Sequence, residues 1–283
     1  MTHRREPEQS AVTFGEISAN PPCLRPVLTA KVTPRFIHRF SSVSSLSSVS
    51  SSSPTLTPTQ EGSRPTVVIR RYEPRDRNAV RHLCCETGFL GNPIDPVFED
   101  RELFADYLTR YYTDIEPESS FVLEQGGVVK GYLLGSYRPF RQQLFNFFNN
   151  LTLFALGMAK YPFYARPTKD FIGWILRNSW REVPTTPRRC AHFHFNMLPA
   201  AQGMANTGKL MNSYLDHLRS KGVRQVYGQV VTFETRRGAK LFERYGFQVL
   251  DRREITKYRN AHPEPVYLTT VLKELDPLSL EKS

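Results

Sequence analysis

Ser41 to Ser53 holds ten serines in thirteen positions, inside a longer segment, residues 17 to 60, that has no aspartate or glutamate. Such a segment cannot bury enough apolar area to offset the entropy of ordering it. This removes residues 1–64 from any core and predicts a Ser/Pro-rich disordered tail there. The remainder, residues 65–283, suffices for one well-packed domain and not for two. The stretch from Leu24 to Ser53 has the Arg/Ser-rich, acid-free composition of an organelle transit peptide. Glu6, Glu8 and Glu16 precede it, however, and presequences normally lack acids. The expectation is a cytoplasmic protein, with organelle targeting by the tail as the alternative.

The longest strongly apolar run, Leu151 to Ala159, is too short to span a bilayer, so no transmembrane segment is expected. Four cysteines fall at 23, 84, 85 and 190, with no C-x-x-C pair and no His/Cys metal spacing. Free thiols and no metal are the expectation. The chain carries a formal net charge of +11. Between Tyr137 and Cys190 there are nine basic and two acidic side chains, so most of the excess lies in one stretch. Positive charge concentrated in this way suits an anionic ligand, an acidic substrate or a membrane surface.

Periodicity orders the rest. Val67 to Tyr72 reads as a strand. Asp76 to Gly88 and Phe98 to Tyr112 read as helices, and Phe121 to Glu124 and Val128 to Ser136 as strands joined at Gly126-Gly127. Residues 137–190 form an aromatic-rich insertion broken by prolines. Phe140, Leu144, Phe147, Phe148, Leu151, Phe154 and Met158 recur there at helical spacing. That pattern predicts a core or lid helix, with a membrane-touching or partner helix as the alternative. Ala191 to Leu198 alternates polar and apolar like a strand. Gln202 to Gly208 reads as a small-residue loop, Lys209 to Lys221 as a helix and Gln225 to Thr232 as a strand. Arg236 to Tyr245 is a short helix closed by Gly246. Phe247 to Tyr258 and Val266 to Lys273 are the last strands. The pattern is that of an α/β chain.

A strand, a small-residue loop and a helix together make an anion site. The first helical turn leaves N–H groups unpaired, and small residues let a phosphate approach them. Gln202-Gly203-Met204-Ala205-Asn206-Thr207-Gly208 fits this, although it is neither a Walker loop nor a G-x-G-x-x-G fingerprint. With its aliphatic helix, Leu210-Met211, the loop resembles the Arg/Gln-x-x-Gly-x-Gly/Ala motif of the GNAT superfamily of acetyl-CoA-dependent N-acetyltransferases. Leu241-Phe242-Glu243-Arg244-Tyr245-Gly246-Phe247 is similar to that family's (Phe/Leu)-Tyr-x-x-x-Gly-Phe. The resemblance covers about residues 66 to 275. His192-x-His194 ahead of such a loop is similar to a subgroup that carries an insertion before its fourth strand.

The resemblance implies a mixed, mostly antiparallel sheet flanked by helices, with residues 137–190 inserted between strands three and four. It implies transfer of an acetyl group from acetyl-CoA, as co-substrate, to a primary amine by direct attack in a ternary complex. A fourth strand that splays from the fifth would offer its main chain near Phe195, Met197 and Leu198 to pantetheine. The amides of Gln202, Gly203, Met204, Ala205, Asn206, Thr207 and Gly208 would hold the pyrophosphate. The hydroxyl of Thr207 is available to cap the helix or to bond a phosphate. Thr235 stands where the family usually has a pantetheine-contacting Asn.

Phe242 takes the place of the family's proton-donating Tyr and cannot donate. Tyr245, one turn on, is the candidate replacement acid, with water as the alternative. His192, His194 and Asn196 share one strand face. Histidine titrates near neutrality, so either is a candidate general base; His194, closer to the thioester position that the resemblance implies, is preferred and His192 is the second candidate. The competing reading of the same face is a set of satisfied structural polar groups. A catalytically impaired GNAT-fold CoA-binding or regulatory module is the second functional reading. A basic nucleic-acid or membrane-surface binder is the third, without a nucleic-acid motif to support it. The acceptor amine is not specified by these residues, and monomer and homodimer are both compatible with them.

Overall fold

The computed structural model describes residues 66–233 and 242–276. The tail and the loop around Thr235, together with most of the helix expected over 236–245, lie outside the described residues.

Among the described residues one seven-stranded sheet runs in the order β1-β2-β3-β4-β5-β7-β6. Its strands are β1 (Val67–Arg71), β2 (Phe121–Gln125), β3 (Val128–Ser136), β4 (Ala191–Met197), β5 (Gln225–Phe233), β6 (Gln248–Glu254) and β7 (Val266–Glu274). Every neighbouring pair is antiparallel except β4 and β5, which are parallel. The β2–β3 hairpin turns at Gly126 and Gly127, both at positive φ, as the Gly-Gly pair predicts.

Six helices flank the sheet: α1 (Arg77–Glu86), α2 (Arg101–Arg110), α3 (Pro139–Lys160), α4 (Arg166–Arg177), α5 (Ser179–Glu182) and α6 (Met204–Ser220). α6 covers one face. Its Leu210, Met211, Tyr214 and Leu218 pack on Leu133, Phe193, Phe195 and Val230. α1, α2 and α4 cover the other, joining Val80, Leu83, Phe104, Phe171 and Trp174 to Tyr132, Leu134 and Val231. Residues 137–190 do form a helical insertion between β3 and β4, while those two strands pair directly with each other.

Three expectations need correction. The helix expected over Phe98–Tyr112 is shorter: α2 ends at Arg110 and passes into a π-turn, Tyr111–Ile115. The Gln202–Gly208 loop is mostly helix, because α6 begins at Met204. Its buried stripe, Thr207, Leu210, Met211, Tyr214, Leu218, already includes Thr207, so helical spacing extends one turn before Lys209. Thr207 is thus a buried position inside α6 and not its cap, which is Gly203. Finally, α3 is not a core helix: its regularly spaced aromatic and aliphatic side chains are exposed.

Candidate active site

β4 organises the site because its two faces differ in chemistry. Phe193, Phe195 and Met197 enter the core under α6. His192, His194 and Asn196 point the other way, in register with Ser136, Leu134 and Tyr132 of β3, and all three are buried. Buried polar groups of this kind need partners. Asn196 Nδ2 donates to the Tyr132 hydroxyl at 2.9 Å and lies 3.4 Å from His194 Nε2. The Tyr132 ring meets His194 edge-on at 5.3 Å.

His192 is held by elements far away in the chain. The π-turn after α2 brings the Tyr112 hydroxyl to 2.8 Å from His192 Nδ1. Gln142, from the first turn of α3, donates to the same hydroxyl at 2.8 Å. With the amide donating to the Tyr112 oxygen, the phenol's own proton is directed at Nδ1, so the neutral ring carries its proton on Nε2. The Tyr227 ring of β5 lies against it at 4.7 Å, tilted by 43°. From the opposite face Tyr214 donates to the His192 carbonyl at 2.8 Å. Tyr214 reaches it by crossing β3 at Gly135, where a Cβ would lie 2.1 Å from the tyrosine ring.

Burial, and then the neighbouring His194, push the His192 imidazole down to about 3. It is therefore neutral throughout the physiological range, and the expectation that it titrates near neutrality is corrected. Tyr112 and Tyr132 are raised well above the usual phenol range, chiefly by burial, and remain protonated donors.

The parallel pairing of β4 with β5 lasts for only three residue pairs, Ala191–Val226, His192–Tyr227 and Phe193–Gly228. Beyond them the strands part. β4 continues to Met197 along β3, and β5 continues to Phe233 along β7. The separation begins at Gly228, where a Cβ would lie 2.5 Å from the Phe193 ring.

The same end of β4 leads into α6. Gln202 Nε2 donates to the Met197 carbonyl at 2.9 Å, tying the turn to the strand end. Its buried Oε1 has no partner among the described residues. Gly203 is the N-cap with extended backbone, and no side chain caps the helix. A Cβ on Gly203 would meet nothing within 4 Å. The first-turn amides of Met204, Ala205 and Asn206 therefore head a 17-residue helix. Asn206 Nδ2 is engaged with the Ala201 carbonyl at 2.8 Å. Gly208 lies within the helix, beside the Tyr245 hydroxyl.

The β4 main chain from Phe195 to Leu198, Gln202, and the start of α6 are thus brought together, with the His192–His194–Asn196 row on one flank. Tyr245 is not part of that row. Its hydroxyl donates to the Met204 carbonyl at 3.2 Å, and its ring packs with Phe242 on the α6 side of the sheet. Phe242 is fully buried between Phe193 and Phe247. Thr235 lies outside the described residues.

Sequence reasoning missed Tyr112, Gln142 and Tyr227. Gln142 had no usable signal, because a polar residue opposite the apolar stripe of α3 reads as solvent-facing. Tyr112 had none, since a π-turn leaves no periodic trace. Among the described residues no cluster of His, Cys, Asp or Glu could hold a metal ion.

No protein-family model matches the sequence. The fold is similar to that of SsHAT, at 29% identity over 74% of this chain and 98% of that chain, with a TM-score of 0.53. Structures with lower scores include yncA from Salmonella typhimurium with its cofactor acetyl-CoA, at 15% identity over 77% and 98% of the chains (TM-score 0.44). Another is the acetyltransferase of GNAT family from Streptococcus pneumoniae, at 13% identity over 75% and 100% (TM-score 0.42).

Proposed function

This chain has the fold of the GNAT N-acetyltransferases, and from that premise we propose that it transfers an acetyl group from acetyl-CoA to a primary amine within a ternary complex. The observation that carries the reading is the parting of β4 from β5 after Phe193 and Gly228, next to the uncapped start of α6.

The residues present fit the co-substrate. The β4 main chain near Phe195, Met197 and Leu198, beyond the last β4–β5 pair, is the segment that would meet pantetheine. Gly203, Met204, Ala205 and Asn206 offer N–H groups to pyrophosphate, with Lys209 and Arg244 adding positive charge nearby. The unpartnered Oε1 of Gln202 is a further acceptor at the junction. Acetyl-CoA supplies the activated acyl group as a thioester. His194 accepts the proton that the amine sheds as the new N–C bond forms and the C–S bond breaks. His192 stays neutral and, held by Tyr112 and Gln142, keeps the strand's polar face in one arrangement. Phe242 has no proton to give, and Tyr245 directs its own at a main-chain carbonyl, so water protonates the departing thiolate.

Acetyl-CoA should raise the melting temperature, since a ligand that binds only the native state stabilises it by RT ln(1 + [L]/Kd). Amines screened for CoA release then identify the acceptor class. A missing thermal shift at millimolar acetyl-CoA would sink the assignment. A shift with no CoA release from any amine would favour a CoA-binding module without catalysis.

A further inference from the structure

Amphipathic helices of folded proteins turn their apolar side inward. α3 does the reverse. Its buried positions are Gln142, Asn149, Leu153 and Gly157. Phe140, Leu144, Phe147, Phe148, Leu151, Phe154 and Met158 are exposed, Phe140 at 78% and Leu151 at 60%. At about 3.6 residues per turn these outward side chains share one face, opposite Gln142 and Asn149. The helix cannot roll over to hide them, because its polar side is engaged. Gln142 donates to Tyr112 in the candidate active site, and Asn149 Oδ1 accepts from Arg110 at 3.3 Å. Exposed apolar groups continue past its C-terminus with Phe163 at 87%, then Leu176 and Trp180.

The charge around this face selects the partner. Arg138 and Arg141 stand at the start of α3, Lys160, Arg166 and Lys169 follow at or after its end, and Arg177 and Arg181 flank Leu176 and Trp180 in the sequence; Arg138, Lys160 and Arg166 are paired with Glu118, Asp100 and Asp170, which leaves the other four to set the sign of the charge. Arg141, Arg177 and Arg181 have no ion pair among the described residues. A second copy docking through the same face would set the unpaired cations of one copy against those of the other. An anionic bilayer complements both features: acyl chains take the Phe and Leu tips, and headgroups take the arginines and lysines. We infer that the outer face of α3, with Phe163 and Trp180, docks on an anionic lipid surface, lying in its interface and not crossing it. Since α3 also carries Gln142, the docked protein would hold its candidate active site directly behind the membrane-facing helix.

Flotation of the full-length protein with vesicles tests this. Binding is expected to phosphatidylcholine vesicles containing phosphatidylserine, to weaken as salt is added, and to be slight with phosphatidylcholine alone. The double variant Phe147→Glu/Leu151→Glu should lose binding by roughly tenfold or more while keeping the wild-type melting temperature, because both side chains are exposed. Arg141→Glu/Arg177→Glu should weaken binding comparably. The inference is overturned if the wild-type protein does not float. Double variants that float as well as wild type would overturn it too. So would a dimer in light scattering that Phe147→Glu/Leu151→Glu dissociates without any vesicle binding, since a second copy would then be the occupant.

Discussion

His192 shows how a side chain's surroundings change its chemistry. Exposed, it would titrate near 6.5; buried against Tyr112, Tyr227 and His194, it is held down to about 3. His217, buried between Arg71 and Ser119, is likewise lowered to about 4, by burial first and the Arg71 charge second. In both cases the unfolded chain takes up a proton at a pH where the native state does not. Stability is therefore unaffected above about pH 6.5 and falls as pH drops through 6.5 toward 4, because the unfolded state binds more protons there. Denaturant titrations at pH 7.5 and at about pH 4.5 should show the loss, and His192→Gln should reduce it. The rate profile discriminates the two histidines of β4. His194→Ala should lower the rate of acetyl transfer by ~10²- to 10⁴-fold, the range of general acid–base catalysis. Any limb of the profile between pH 6 and 8, the neighbourhood of about 6.5 for an ordinary histidine, should survive His192→Gln. Loss of that limb in His192→Gln would move the proton acceptor to His192.

At the scale of elements, the start of α6 and the edge of β4 act as one unit. Gly203 has extended backbone that any residue adopts, and its Cβ would project into open space. Gly203→Val should therefore change the stability of the unliganded protein by less than about 0.5 kcal/mol. The same branched side chain would stand where a pyrophosphate approaches the first-turn amides, and the acetyl-CoA thermal shift should disappear. An unchanged shift would place the phosphates elsewhere. β4 itself was legible as a strand with a polar side, since alternation is a local pattern. Its parting from β5 was expected only through the family resemblance. Where the pairing ends, at Phe193 packed against Gly228, is a relation between strands that no local pattern reports. The reversed face of α3 was misread for a related reason. Helical spacing reports that one side differs from the other, and not which side meets the core.

For the whole molecule, the first consequence concerns the tail. Residues 1 to 60 lack the apolar side chains of a core, so their deletion should leave the melting temperature and the acetyl-CoA shift unchanged. A loss above about 2 kcal/mol would show that they dock on the domain. The order β-α-α-β-β, helical insertion, β-α-β and two final strands was determined by the sequence alone, the short helix expected over 236–245 lying mostly outside the described residues, because strand and helix periods and glycine turns act over neighbouring residues. So were the His192–His194–Asn196 row and the small-residue run that leads into the first turn of α6. Only the tertiary structure decided that α6 starts at Met204, that Tyr112 and Gln142 meet at His192, and that Tyr245 turns to Met204. Those outcomes depend on which distant residues share a buried space, and burial sets hydrogen-bond partners and proton affinities that no local pattern encodes.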